Sequence, residues 1–386
     1  MPFKLCCINI GKNLSFETLL AAMKYYTNAR VFVNNNWLHN ASVTVKGGRI
    51  DAINAVADKD ATVIDCGGNL LIPALLDLQL YGAGGRLFSA YPDPLSLQKL
   101  AEENKKAGVA ACLATIATQP LPVIYECIEG IKHYWQQGGR GILGMHLEGP
   151  FMNPVKRGAH NPEWIHAPSV KEVEDLLTAG KDVIKVVTLA PECCDEVIVK
   201  MFVDAGVYVS AGHSNATYKQ AEKFSAQGIT LVTHMFNAMS ALHHRDTGLP
   251  GAAFEDKKLT ASIIPDGIHV SYSALKIAKQ QMGERLFFIT DSVTETNIGA
   301  YQHRLNNDHY CTADGTLSGS AITLLQGVKN ANLYAGIRLE ECIRMASLYP
   351  AKAIGIQKDY GSISPGRIAN MLLVNKDLEL LENFIE

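Results

Sequence analysis

The chain has 386 residues, of which 47% are apolar and 19% charged, with a formal net charge of −3. That length can bury one barrel-sized core with a smaller unit beside it, and the apolar content excludes a disordered polymer. The weak net charge excludes a general electrostatic footprint for nucleic acid or an anionic membrane, and apolar runs fall short of the ~18 residues of a membrane span.

Residues 1–22 read as a loosely attached N-terminal extension. Asn and Gly interrupt its apolar stretch, so it makes a poor signal peptide, and a cytoplasmic setting is expected. From Met23, taken as the functional start, MKYYTNARVFVNNNWLHNASVTVKGGRIDAI predicts a strand and a turn at Asn34–Asn36. Two more strands follow around Lys46-Gly47-Gly48.

From about residue 70 the pattern changes to short apolar runs separated by longer helical stretches. The strand-like runs are LIPALLDLQL (71–80), VAACLATIAT (109–118), GILGMHLEG (141–149) and DVIKVVTLAP (182–191). They continue with GVYVSAGHS (206–214), ITLVTHMFNA (229–238), LTASIIPDG (259–267) and RLFFITDSV (285–293). Between them, segments such as PLSLQKLAEENKKAG and NATYKQAEKFSAQG carry helical spacing and a closing Gly. Nearly continuous apolar strands separated by helices predict parallel strands covered on the outside, and a (β/α)8 barrel is the simplest closure.

After the last of these runs come a turn-rich segment (295–320), a helix from about Ile322 and another over Glu340–Leu348. The tail GSISPGRIANMLLVNKDLEL reads as turn and strand, with no place left in the barrel. The expected fold is therefore α/β: a (β/α)8 TIM-like barrel with a small β-sandwich domain built from both chain ends. The expected divisions are 1–22, 23–70, 71–355 and 356–386. The nine cysteines include no C-x-x-C pair, so neither a disulfide framework nor a cysteine zinc site is expected.

Polar residues fall at telling positions. Gln79, Thr115, Glu148, His213, His234, Asp266 and Asp291 lie at or just past the C-terminal ends of apolar runs, which in a barrel converge on one face. A lone His after a strand is more often structural than a ligand. Glu148, His213, His234 and Asp291, on separate strands, are harder to explain as packing. A catalytic zinc takes about three protein ligands and an open position for water. Glu148, His213 and His234 fit that ligand set, and Asp291 fits the group that moves the water's proton.

Several motifs carry a more specific likeness. HLEGPF (146–151), SAGHSNA (210–216), THMFNAMS (233–240), PDGIHV (265–270) and ITDSV (289–293) resemble the successive motifs of the N-acetylglucosamine-6-phosphate deacetylase family, within the metal-dependent amidohydrolase superfamily. TLAPE (188–192), GTLSGSAIT (315–323) and GSISPGRIANMLL (361–373) extend the likeness, in order, from about residue 23 to the end. The resemblance implies a hydrolase that releases acetate from N-acetylglucosamine 6-phosphate. It implies one divalent metal per subunit, Zn2+ first, with Fe2+, Co2+ or Mn2+ as alternatives.

It further implies Glu148, His213 and His234 as metal ligands and Asp291 as the proton carrier. Arg245, in ALHHRDTG, matches an arginine that reaches the substrate phosphate from a neighbouring subunit, so a homodimer or homotetramer is expected. Ala159 and His160 in KRGAHNP, Asp266 and His269 in PDGIHV, and Asn237 with Ala238 match positions about the sugar, as do Leu317, Ser318 and Gly319. Lys156 and Arg157 could attract an anionic substrate, whereas His243 and His244 match nothing and read as surface. Glu192 is either a support for the site or purely structural.

The first barrel strand departs from the superfamily. Many members place His-x-His there beside a carboxylated lysine on the fourth strand, where this chain has Gln79-x-Tyr81 and Thr188. Some deacetylases of the family carry Gln-x-Asn and use one metal, so a single-metal site is expected. Gln79 either hydrogen-bonds the water or lines the second position; Tyr81 either narrows the pocket or packs at its rim. Two other readings stand beside this one: a deacetylase of another N-acetyl amino-sugar phosphate, and a non-catalytic protein of the amidohydrolase fold.

Overall fold

The computed structural model describes residues 23–386, so the expected extension lies outside the described residues. The chain opens with β1 (Lys24–Val33) and β2 (Asn36–Lys46), an antiparallel hairpin. Its turn uses Asn34 and Asn35 at φ 46° and 70°, the left-handed region that Asn tolerates better than most residues. β3 (Arg49–Ile53) pairs antiparallel with β2. β4 (Thr62–Asp65) and β5 (Leu70–Pro73) both run parallel to β1, one along each half of it.

The barrel starts at β6 (Leu75–Leu80), followed by a tight hairpin of β7 (Gly82–Ala83) and β8 (Arg86–Leu87). Its other strands are β9 (Val109–Ile116), β10 (Ile142–Glu148), β11 (Ile184–Leu189), β12 (Tyr208–Ala211), β13 (Leu231–Val232), β14 (Thr260–Ile263) and β15 (Leu286–Phe288). They lie parallel and in chain order from β6 to β15. Every residue of β6 and β9 is buried, as strands covered on both faces require. The ring is closed at the C-terminal ends, where Tyr81 N–H donates to Ser292 O (2.9 Å) and Asp291 N–H donates to Gln79 O (3.0 Å).

A three-stranded antiparallel sheet follows, of β16 (Arg304–Asn306), β17 (His309–Cys311) and β18 (Leu317–Ser320), within the turn-rich segment. The chain ends in β19 (Met371–Val374) and β20 (Leu380–Phe384). β19 pairs with β5, so both chain ends share one sheet. That sheet curls, because Ile50 N–H donates to Arg367 O (2.8 Å) and Ala369 N–H to Gly48 O (2.9 Å) while β19 holds β5. It encloses its own core of Tyr26, Val31, Val43, Ile50 and Met371, separate from the barrel core.

Two elements differ from expectation for clear reasons. The run 71–80 is two strands: Leu70–Pro73 belongs to the small sheet and Leu75–Leu80 to the barrel. Both halves are buried, so apolar patterning alone cannot divide them. The helix expected over 215–228 breaks into Tyr218–Ala221 and a 3-10 turn, Phe224–Gln227, closed by Gly228 at φ 91°. By contrast Pro94–Lys106 forms as expected. Asp93 Oδ1 accepts from Ser96 N–H at 2.8 Å, Pro94 suits the first turn, and Lys105 with Lys106 complement the C-terminal end.

Candidate active site

The strand ends deliver the site. Glu148 is the last residue of β10, and Gln79 is the penultimate residue of β6. His213, His234 and Asp291 come just past β12, β13 and β15, at φ 46°, 34° and 54°. A left-handed backbone at a residue with a full side chain costs of the order of 1–3 kcal/mol and persists only where the surroundings impose it. Here it stops each strand and turns the side chain inward. Gly212 permits the turn before His213, since a Cβ there would stand 2.7 Å from Thr188 Cγ2 and 2.8 Å from Thr233 Cβ.

Three donor atoms converge. Glu148 Oε1 lies 3.1 Å from His234 Nε2 and 3.3 Å from His213 Nε2, and the two ring nitrogens are 3.2 Å apart. A tetrahedral zinc with ligands at about 2.0–2.1 Å has donor–donor edges of about 3.3–3.4 Å, so the triangle has the size such an ion needs. His213 Nδ1–H donates to Lys156 O (2.8 Å), a carbonyl that can only accept, which leaves Nε2 with its lone pair aimed inward. His234 Nδ1 is buried without a hydrogen-bond partner, so its ring is held through Nε2 alone.

His160 stands in the same cluster but offers a hydrogen where His213 offers a lone pair. Glu148, His160 and His213 all bring a ligand-type atom within 4.8 Å of one another. Thr118 N–H donates to His160 Nδ1 (3.1 Å), and a backbone N–H can only donate, so in the neutral ring the proton sits on Nε2. That Nε2–H faces Glu148 Oε2 at 3.3 Å. The tautomers therefore make His213 a lone-pair donor and His160 a hydrogen donor.

Electrostatics follow the packing. Burial works to raise the Glu148 carboxyl, yet hydrogen bonds from His160, His213 and His234 hold it well below its ordinary value. Burial, and then the charge of Glu148, push the Asp291 carboxyl up to about 6, against the lowering pull of His234, His269 and Tyr81. Burial, with help from His160, brings His213 down to about 4, which favours the neutral ring. His269 is raised despite its burial, because Asp266 Oδ2 lies 2.5 Å from Nδ1. Its Nε2 lies 3.2 Å from Ser318 O, so both ring nitrogens face acceptors, as an imidazolium does.

These groups open onto a cavity of about 250 Å³. Of the residues expected about the sugar, Ala159, His160, Asn237, Ala238 and His269 line it. Leu317, Ser318 and Gly319 close one side from β18, with Gly319 so near Asp291 that a Cβ would meet Asp291 O at 2.5 Å. Asp266 does not line it; its carboxylate holds His269 instead, Oδ2 lying 2.5 Å from Nδ1. Arg245 is not brought there: it is exposed, in a separate depression with Thr217, Tyr218 and Lys219. His243 and His244 are exposed as expected, and Arg157 hydrogen-bonds His160 O (3.1 Å). Glu192 holds the loop after His213, accepting from Ser214 Oγ (2.7 Å), Asn215 N–H (2.6 Å) and Asn153 Nδ2 (3.0 Å).

Sequence reading missed Tyr301 and His303, which also line the cavity. Tyr301 Oη donates to Thr118 O (2.6 Å), and His303 Nδ1 lies 3.0 Å from Ser318 Oγ. Both sit in AYQHR, within turn-rich sequence and away from any strand end; the pairing of an aromatic and an imidazole there was the one available signal.

An eight-stranded parallel barrel whose C-terminal strand ends gather a carboxylate and imidazoles, with a raised carboxyl beside them, is the framework of a metal-dependent hydrolase. The chain belongs to the amidohydrolase family, whose sequence pattern it matches over residues 70–386. It is 34% identical over 373 residues to N-acetylglucosamine-6-phosphate deacetylase of Haemophilus influenzae, covering 93% of this chain and 97% of that one. It is 31% identical to N-acetylgalactosamine-6-phosphate deacetylase of Escherichia coli O157:H7, covering 92% and 96%. The crystal structure of N-acetylglucosamine-6-phosphate deacetylase from Pasteurella multocida superposes with a TM-score of 0.89 at 34% identity, covering 94% of this chain and 98% of that one. Family and cluster together fit one divalent metal ion. Among the described residues, no helix is long and apolar enough to cross a membrane.

Proposed function

We propose that the protein hydrolyses the acetamide of N-acetylglucosamine 6-phosphate, giving glucosamine 6-phosphate and acetate. The observation that carries this is the convergence of Glu148 Oε1, His213 Nε2 and His234 Nε2 beside the raised Asp291 carboxyl, all lining one cavity. Glu148, His213 and His234 would hold a divalent ion, Zn2+ by the borderline character of imidazole with carboxylate, which would supply a Lewis acid for the acetamide carbonyl and lower the pKa of a water. Asp291 accepts the proton of the attacking water on its carboxylate and returns it to the departing amine nitrogen. His160 presents Nε2–H to the carbonyl oxygen as it gains negative charge. His269, braced by Asp266 at Nδ1, reaches the sugar through Nε2–H once that hydrogen turns from Ser318 O to the substrate. The non-catalytic reading loses ground because Glu148, His213, His234 and Asp291 are all present and all line one cavity.

Asp291→Asn tests the proton role. Turnover should fall by roughly 10²–10⁴-fold, the scale of general acid–base catalysis, while zinc content measured by mass spectrometry stays at the parent level. Near-parental rates would remove Asp291 from the reaction. The Escherichia coli relative, named for the galactosamine epimer, keeps that epimer as a second reading. Rates on the two sugars compared side by side separate them.

Arg245 belongs to the same proposal as a phosphate ligand supplied across a subunit interface. An Arg suits bidentate contact with phosphate, and this one is not in its own chain's cavity. Mixed dimers of Arg245→Ala and Asp291→Asn chains should recover activity that neither parent has. Failure to recover it in hybrids shown to form would place each site within one chain.

A further inference from the structure

Two tyrosines line the cavity, and their hydroxyls face different ways. The Tyr81 hydroxyl meets the Glu148 carboxylate and lies 3.2 Å from Asp291 Oδ1, with Gln79 Nε2 3.0 Å away. The Tyr301 hydroxyl instead meets main chain: it donates to Thr118 O (2.6 Å) and accepts from Asn161 N–H (3.2 Å).

Those two groups belong to the two segments that set His160. Thr118 follows β9, and its N–H (3.1 Å) and Oγ1 (2.8 Å) both face His160 Nδ1, which leaves the ring's hydrogen on Nε2. Asn161 is the residue after His160 in the chain. One phenol oxygen therefore ties the segment that carries the imidazole to the segment that fixes its tautomer. The Tyr301 ring also stands edge-on to the His160 ring, at 72° with centroids 6.3 Å apart. Within the His160 loop, His160 N–H donates to Arg157 O (3.0 Å), a bond that shapes the loop without tying it to Thr118.

Tyr301 is itself firmly placed. It is buried on the loop between β15 and β16, where Thr296 N–H donates to His303 O (3.1 Å). Gly299 packs so close to Ala90 that a Cβ there would stand 2.9 Å from the alanine's own. A donor stabilises developing charge only when its hydrogen is preset where that charge appears, and a misplacement of about 1 Å can cost about 10²-fold in rate.

We propose that Tyr301 is a positioning residue: through Thr118 and Asn161 it holds His160 with Nε2–H toward the reacting carbonyl. This rests on the reading of His160 as the hydrogen donor in the proposed hydrolysis.

A double-mutant cycle on the zinc-loaded enzyme, with N-acetylglucosamine 6-phosphate as substrate, tests it. Tyr301→Phe keeps the ring and loses the hydroxyl; kcat should fall roughly 10–100-fold while KM and zinc content stay near the parent's. In a His160→Gln background the same change should cost about twofold or less, because the group it positions is gone. Nitrogen-15 shifts of the His160 ring in the parent should show the hydrogen on Nε2. A parent-like kcat for Tyr301→Phe, an equal loss in both backgrounds, or a parent ring protonated at Nδ1 would each overturn the proposal. The last is read on the parent and decides even where Tyr301→Phe does not fold. His160→Gln turning over at the parental rate would instead refute the donor reading of His160, leaving the two failures distinguishable.

Discussion

His146 and Glu148 occupy the same strand two residues apart, in successive layers of the barrel interior, and the layers are built on opposite principles. In the lower one, His146 Nδ1–H donates to Leu78 O (3.0 Å) and Nε2 accepts from Thr188 Oγ1 (2.7 Å). The belt continues from Thr188 to Thr233 (2.7 Å between hydroxyl oxygens) and on to Ser210 (2.5 Å). Burial takes His146 down to about 4, and a neutral ring satisfied at both nitrogens has nothing left to offer. In the upper layer the ring nitrogens of His213 and His234 point at each other and at a carboxylate. Burial of a histidine is common to both layers; what separates a candidate metal ligand from packing is whether its lone pair is already spent.

Substitutions in the two layers should separate cleanly. His213→Ala removes a converging lone pair and should abolish metal binding and turnover together, read by zinc content and acetate release. The next effect is on pH. Asp291 accepts a proton only when ionised, so kcat/KM should fall about tenfold per pH unit below about 6 and level off above it, rather than holding down to the ordinary Asp range. A flat profile between pH 5 and 8 would show that another group limits the rate. The smallest effect belongs to the lower layer. His146→Leu leaves Leu78 O and Thr188 Oγ1 without their partner and should cost about 1–3 kcal/mol in urea unfolding, with metal content unchanged. Loss of zinc in that variant would mean the two layers are one unit.

The upper layer was largely legible in the sequence because its members are polar residues at the ends of apolar runs, where packing gives no reason for them. The lower layer was not: His146 sits inside HLEGPF beside the more conspicuous Glu148, and Thr188 and Ser210 look like ordinary strand residues. The barrel was legible from its alternating runs, whereas the hand-over at Ala74 was not, since Leu71, Ile72, Leu75 and Leu76 are equally apolar and equally buried. The sequence reading takes His234 and not His160 as a ligand from its place at a strand end; the hydrogen-bond direction that bears on that choice, the Thr118 N–H on Nδ1, is encoded by no residue pattern. Tyr301 and His303 reach the cavity from irregular chain, where periodicity is silent.

The place where the barrel closes has a consequence for how the protein comes to work. Gln79 and Asp291 meet across the seam although 212 residues separate them along the chain. Closing so long a loop comes only after the intervening units have found their places. The carboxylate proposed to carry the proton is thus assembled by the same event that completes the ring, and a chain arrested with an open seam would hold Glu148, His213 and His234 without it. Regain of activity on refolding therefore reports the final closure, not the collapse before it.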